Sequence, residues 1–344
     1  MALAAAILFG ASTPLAKIML GQTGPWMLAG LLYLGAGLGL AAVRLSRSLW
    51  RRVPVEAPLR RADSGWLAAV VLSGGIAGPL LLMLGLQYST GAEAALLLNL
   101  ESVLTLGIAW LVFRENVDIR IGVGAAAIVV GAALLSWSTP SGGPGPGAAL
   151  IAAACLCWAI DNNLSRRLSA ADPLQIAMIK GLVAGSINFG LALLAGDRLP
   201  VASSVAASLV IGLFGYGISL VLFMLSLRHL GTARTGAYFS LAPFIGALLA
   251  VLFMQEPLSW RLVVAGLLMG IGLYLHLAER HSHAHRHEPA EHEHGHVHDA
   301  HHQHAHAPDD PPGEPHVHVH RHDAIAHAHP HFPDIHHRHD HMHG

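Results

Sequence analysis

Residues 86–115 read LQYSTGAEAALLLNLESVLTLGIAWLVFRE, an apolar run entered through a Ser-Thr-Gly turn and closed by Arg114 and Glu115. About 20 apolar residues in a helix span the hydrocarbon core of a bilayer, so this stretch predicts a transmembrane helix. The pattern returns 141 residues later, without a gap, as LRHLGTARTGAYFSLAPFIGALLAVLFMQE over residues 227–256. Extending the comparison to 86–137 against 227–278 gives ten identities in 52 positions, only modestly above chance for a chain this rich in Leu, Ala, Gly and Val. The charged coincidences decide the reading. Glu115 meets Glu256 and Arg120 meets Arg261, where charge is scarce. The chain is read as two copies of one membrane unit.

Composition divides the 344 residues into two unlike parts. The chain is 53% hydrophobic and 12% charged, with positive mean hydropathy. Residues 1–280 carry 17 Lys/Arg, 11 Asp/Glu and two His, whereas 281–344 carry 24 His, three Arg and ten Asp/Glu with almost no large apolar side chain. The second part cannot bury a core and is expected to be disordered without a ligand. Cys155 and Cys157 lie two apart in an apolar segment, hence on different faces of a helix, and imply packing rather than a disulfide framework. The apolar start lacks a basic region before it and a cleavage pattern after it, so it reads as the first helix and not as a signal peptide.

Apolar segments of spanning length fall at about 2–20, 24–43, 65–87, 91–113, 119–138, 148–168, 173–195, 203–228, 232–254 and 260–279. The fold expected is an all-α integral membrane protein of ten transmembrane helices in two five-helix repeats, with a disordered His-rich tail. The boundaries are 1–138, a Gly/Pro linker at 139–147 within STPSGGPGPG, 148–280, and the tail from 281 to 344. Arg44, Arg47, Arg51, Arg52, Arg60, Arg61, Arg114, Arg120, Arg166, Arg167, Arg228 and Arg234 all belong to even-numbered loops, against Lys17, Arg198 and Arg261 in odd ones. The positive-inside rule puts the even loops and both termini in the cytoplasm, for a multi-pass protein of the inner or plasma membrane. Five crossings is an odd number, so the two repeats are inserted upside down relative to each other, an arrangement common in secondary transporters.

The segments FGASTPLAK (9–17), CWAIDNNLSRR (157–167) and GTARTGAYFSLAPFIGALLAVLFMQEPLS (231–259), with the helix-terminal Glu115 and Glu256, resemble the EamA branch of the drug/metabolite transporter superfamily. The resemblance covers about residues 2–279 and rests on loose motifs of small and apolar residues. It implies the ten-helix fold and a transport role, and does not name a substrate. The His-rich tail lies outside the usual pattern of that family.

Ionisable and polar residues inside a bilayer are expensive, which makes them site candidates. Glu93, Glu101 and Thr105 share one face of the fourth helix, while Asn99, whose repeat partner is Ser240, is offset from it. Glu101 falls near mid-membrane with no basic residue at its depth in the sequence, as a proton-coupling carboxylate would. The sixth helix presents Trp158, Asp161 and Asn162 along one stripe. Lys180 lies at a depth in the seventh that makes an Asp161–Lys180 ion pair feasible, either for substrate or proton coupling or simply for mutual neutralisation. Tyr216 and Tyr238 are candidates as cavity walls or as packing. Glu115 and Glu256 read as helix-end contacts. Pro14, Pro79 and Pro243 interrupt helical segments and free a carbonyl a turn upstream, which makes them candidate gating hinges, with GGIAGP (74–79) the strongest.

The tail places imidazoles one residue apart in several runs. These are His281, His283, His285 and His287; His292, His294, His296 and His298; His301, His302, His304 and His306; His316, His318, His320 and His322; and His336, His337, His339, His341 and His343. Imidazole with neighbouring carboxylates suits Zn, Ni, Co or Cu, and near pH 6.5 many of these groups also gain charge. No cofactor is required by the helices. The sequence lacks a GxxxxGK[ST] phosphate loop, so an ATP-driven pump is not indicated, and neither is an enzyme. The arginines of 44–61 are accounted for by topology and anionic lipid, without nucleic acid. Three functions follow in order: a secondary transporter, in the exporting sense, of a small metabolite or drug-like solute with a metal-binding tail; a divalent transition-metal (Ni, Co, Zn or Cu) exporter using the tail as collector or sensor; and a non-transporting, membrane-anchored metal store or sensor.

Overall fold

The computed structural model describes residues 1–49, 59–113, 119–137, 145–168 and 171–277, with 282–286, 290–296, 316–322 and 326–330 of the tail. Among these, nine helices are long and apolar enough to cross a membrane. They are α1 (Ala2–Met19), α2 (Pro25–Ser46), α3 (Arg61–Gln87), α4 (Gly91–Val112), α5 (Ile119–Ser136), α6 (Pro146–Ser165), α7 (Pro173–Leu194), α8 (Ala202–Ser226) and, after a shorter apolar α9 (Ala242–Phe253), α10 (Trp260–Leu277). The ninth span differs from its expected extent of about 232–254. Residues 227–239 continue the helix of α8, the chain turns at Ser240–Leu241, and α9 starts afresh with Pro243 in its first turn. A proline is favourable there because the first N–H groups of a helix have no partner within it.

The helices pair mostly across the two halves: α2 with α7, α5 with α10, α3 with α6, α1 with α8, α4 with α6, and α1 with α9. Exchanging the halves carries the α3–α6 contact onto α8–α1 and the α6–α4 contact onto α1–α9, and returns α2–α7 and α5–α10 onto themselves. This is the signature of a pseudo-twofold relation, and the closest contacts are backbone to backbone. A Cβ on Gly181 would stand 2.7 Å from the Cα of Gly37, and one on Gly124 would stand 2.6 Å from the carbonyl oxygen of Gly272. Helices in lipid gain little from hydrophobic burial against each other, so close small-residue packing holds such pairs. Leu82, Met83, Leu86, Leu97, Ile128, Ile151 and Met269 fill the interior, whereas Leu111, Leu194 and Phe253 stay largely exposed, as a lipid-facing shell requires.

Two helices carry a π-helical turn, at Val71–Ala77 in α3 and Leu213–Ile218 in α8. The 141-residue offset of the repeat carries the first onto 212–218, so the widened turn is a repeated feature. In α3 it has a cause in Pro79, which has no N–H to offer the preceding turn.

In the tail, Ser282–Arg286 pairs antiparallel with Ala326–Pro330, and Ala290–His296 with His316–His322. A two-stranded ribbon is marginal in water by itself, so these pairings supply no core to a segment expected to be disordered.

Candidate functional site

Ionisable groups converge where α3, α4, α6 and α7 meet. Asn162 of α6 donates from Nδ2 to Oε1 of Glu101 on α4 at 2.8 Å, with a longer contact of 3.4 Å to Oγ1 of Thr105. Its neighbour Asn163 donates to the Thr105 carbonyl at 3.2 Å, which locks the same two helices together. Asn162 is exposed, so this hydrogen bond lies at the surface of the described helices. One residue earlier, Asp161 forms an ion pair with Lys180 of α7, and the side chains are only 7% and 16% exposed. Ser165 donates to the other carboxylate oxygen of Asp161 at 3.1 Å. Charges this far from water persist only when paired and hydrogen-bonded.

The third wall is the π turn of α3. With no N–H on Pro79, the carbonyls a turn upstream need other donors. Tyr33 and Trp158 both donate to the Gly74 carbonyl, at 2.9 and 3.0 Å. The Asn188 amide contacts the carbonyls of Gly75 and Ile76 at 3.5 and 3.4 Å. Glycine at 74 lets α6 approach, since a Cβ there would lie 2.6 Å from the Asp161 Cβ. The repeat reproduces this geometry with different chemistry. A Cβ on Gly215, the repeat partner of Gly74, would lie 2.6 Å from the Cβ of Ser12, which falls opposite Asp161 when FGAS (9–12) of the first half is set against WAID (158–161) of the second. The scaffold is symmetric, and its charge stands on one side.

Tyr216, in the second π turn, packs its ring on Phe9 and Tyr33 at 5.9 and 5.5 Å between centroids, so it is a wall of aromatic packing beside the polar cluster. Tyr238 is 46% exposed on the extension of α8 and stands apart from the cluster. Glu93 and Asn99 are also not brought to it. Glu93 closes a capping box with Thr90, two hydrogen bonds of 3.1 Å. Asn99 is buried and bonds the Leu96 carbonyl at 2.9 Å, facing Met269 of α10. Pro14 is buried inside α1, whose Gly10 abuts Ala242 and Gly246 of α9. Tyr33 and Asn188 are additions that sequence reasoning missed, and their only signal is a polar group in an otherwise apolar helix. Glu115 and His281, His287, His298, His301, His302, His304, His306, His336, His337, His339, His341 and His343 lie outside the described residues. His283, His285, His292, His294, His296, His316, His318, His320 and His322 occupy strand positions.

The comparisons with known proteins agree with this architecture. The profile of the EamA-like transporter family matches residues 1–137 and again 145–278. An uncharacterized transporter of Methanothermobacter thermautotrophicus is 29% identical over 286 residues, covering 79% of this chain and 83% of its own. The uncharacterized inner membrane transporter YedA of Escherichia coli K12 is 27% identical over 290 residues, 78% of this chain and 89% of its own. A probable 4-amino-4-deoxy-L-arabinose-phosphoundecaprenol flippase subunit, ArnE of Pseudomonas fluorescens, is 38% identical over 109 residues, 31% of this chain and 94% of its own. A solved crystal structure matches with a TM-score of 0.58 at 21% identity over 80% of this chain and 94% of that one, which speaks to the fold alone.

Proposed function

Since the chain belongs to the EamA-like transporter family, we propose that it moves a small organic solute across the membrane by alternating access, in the exporting direction. Both termini are assigned to the cytoplasm. The site is the cluster of Glu101, Asn162, Asp161, Lys180 and Trp158, with Glu101 as the carboxylate that exchanges a proton for the solute. The observation that carries the reading is the Asn162–Glu101 hydrogen bond of 2.8 Å. It puts an ionisable group of one half against a polar group of the other, at the interface that must rearrange when the halves exchange conformations. Proteoliposomes loaded with a panel of labelled amino acids, amines and sugars, and subjected to an imposed pH gradient, test it. Gradient-driven flux of one class that Glu101→Gln abolishes supports the reading, and undiminished flux in that variant removes it.

A second reading, transition-metal export with the tail as collector, has one specific observation in its favour. Within the tail ribbons histidine stands opposite histidine: His292 with His320, His294 with His318, His296 with His316, His283 with His329 and His285 with His327. The backbone register thus brings histidine positions next to one another, and histidine is a residue type suited to Zn, Ni, Co or Cu. The third reading, a metal store or sensor that transports nothing, rests on the same register. Accumulation of Zn, Ni, Co and Cu in cells with and without the gene separates these. Unchanged content for all four removes metal export and leaves the organic solute.

A further inference from the structure

The two halves touch at one end of the α4–α9 pair through a carboxylate. After α9, Gln255 adopts φ +53°, the one non-glycine among the described residues with positive φ. This left-handed step is unfavourable for a side chain bearing a Cβ, so the surroundings must hold it. It turns Glu256 towards the first turn of α4. There Oε1 accepts the Gly91 N–H at 2.6 Å and Oε2 accepts the Ala92 N–H at 2.8 Å, across 165 residues of chain. Thr90 takes the next amide, that of Glu93, at 3.1 Å. The unpartnered donors of α4 are therefore satisfied, two of them by the other half of the protein, and the helix dipole adds to the attraction for a carboxylate.

The packing beneath this cap is tight. A Cβ on Gly91 would lie 3.1 Å from Oε1 of Glu256 and 3.3 Å from the Ala250 Cβ, and one on Gly246 would lie 3.1 Å from the Ala95 Cβ. The repeat predicts an equivalent contact between the far end of α4, within Leu100–Phe113, and residues 231–239. Around Gly236, the repeat partner of Ala95, nothing lies within 4 Å of where a Cβ would stand, so that described position is not packed as Gly246 is; Glu115, the repeat partner of Glu256, lies outside the described residues.

We infer that Glu256 is a latch: its carboxylate on the Gly91 and Ala92 amides holds this end of the pathway shut, and its release accompanies opening there. The inference rests on the alternating-access reading. Its test needs no substrate, so the two fail separately. Hydrogen–deuterium exchange of the full-length protein in nanodiscs is compared between wild type and Glu256→Gln, which keeps the side-chain shape but turns an NH2 towards one of the two amides. Exchange is expected to rise about tenfold over 90–97 and 242–256 and to fall over 100–113 and 231–239, as the opposite end closes. A disulfide between Ala95→Cys and Gly246→Cys, in a Cys155→Ala/Cys157→Ala background, is expected to restore slow exchange at the first end in the Glu256→Gln protein. No change, a rise at both ends alike, or a rise at the first end with no protection of the other overturns the latch, because a merely structural cap loosens one end without protecting the other.

Discussion

Asn162 donates to Glu101 across the boundary between the two halves, and among the described residues no ion pair holds that carboxylate. A carboxylate inside the membrane held by a neutral amide is free to gain and lose a proton, whereas one clamped by arginine would stay charged. Asn162→Ala removes a hydrogen bond to an ionisable group, worth about 1.5–3 kcal/mol when charged, and should lower gradient-driven flux about tenfold or more. Asn162→Asp sets a second carboxylate beside the first and should shift the pH dependence of flux in proteoliposomes. An unaltered pH profile would show that Glu101 does not titrate during the cycle.

The Asp161–Lys180 pair sets the opposite expectation, since each group neutralises the other. Asp161→Asn or Lys180→Met alone leaves an uncompensated buried charge and should destabilise the protein by about 3–5 kcal/mol. The double variant should regain most of that stability in a detergent melting assay. If flux stays absent in the stable double variant, the pair acts in transport as well as in folding. Full flux would reduce it to an architectural neutralisation.

Much of this was legible in the sequence, and the limits have physical causes. The repeat could be read because Glu115/Glu256 and Arg120/Arg261 are rare types in an apolar segment, and the ten-span pattern because lipid imposes a minimum length. The Asp161–Lys180 pairing followed from depth in antiparallel helices. Glu93 was misleading, since its spacing from Glu101 fixes a shared face but its place beside Thr90 makes it a cap. The π turn at Leu213–Ile218 had no signal, because no proline marks it as Pro79 marks its counterpart. The role of Glu256 depends on a contact 165 residues away and on one left-handed residue, neither of which periodicity encodes.

Gln255→Gly tests that left-handed step. Glycine adopts positive φ without the Cβ clash, so the substitution should stabilise the closed end by about 1 kcal/mol while leaving Glu256 in place. Slower exchange over 90–97 is the expected measurement. Faster exchange there would mean that the Gln255 side chain, and not the backbone turn, supports the cap.

Gly74→Ala and Gly215→Ala compare the two halves of the scaffold. In each, the new methyl falls 2.6 Å from a facing Cβ, of Asp161 in one and Ser12 in the other. Overpacking of this kind costs about 1–3 kcal/mol at either site. Only the first displaces an ion-paired carboxylate, so Gly74→Ala should lose flux out of proportion to its melting temperature, and Gly215→Ala should lose both together. Equal losses of flux at equal stability would deny the first site a special role.

The strand register of the tail gives a test that separates an ordered metal site from a loose run of imidazoles. In the Ala290–His296/His316–His322 ribbon, a single Ala inserted between Val317 and His318 keeps every histidine but moves part of β-strand 316–322 to the opposite face. Zn or Ni titration of the full-length protein should then show about tenfold weaker binding at the tightest sites, whereas independent imidazoles would bind as before. Acid should act in the same direction. An imidazole binds metal only when neutral, so binding is complete above its ordinary pKa of about 6.5 and is lost as the pH falls below it. Deleting 281–344 should remove both effects and leave gradient-driven flux of the organic solute intact. Loss of that flux with the tail would tie metal binding to transport itself.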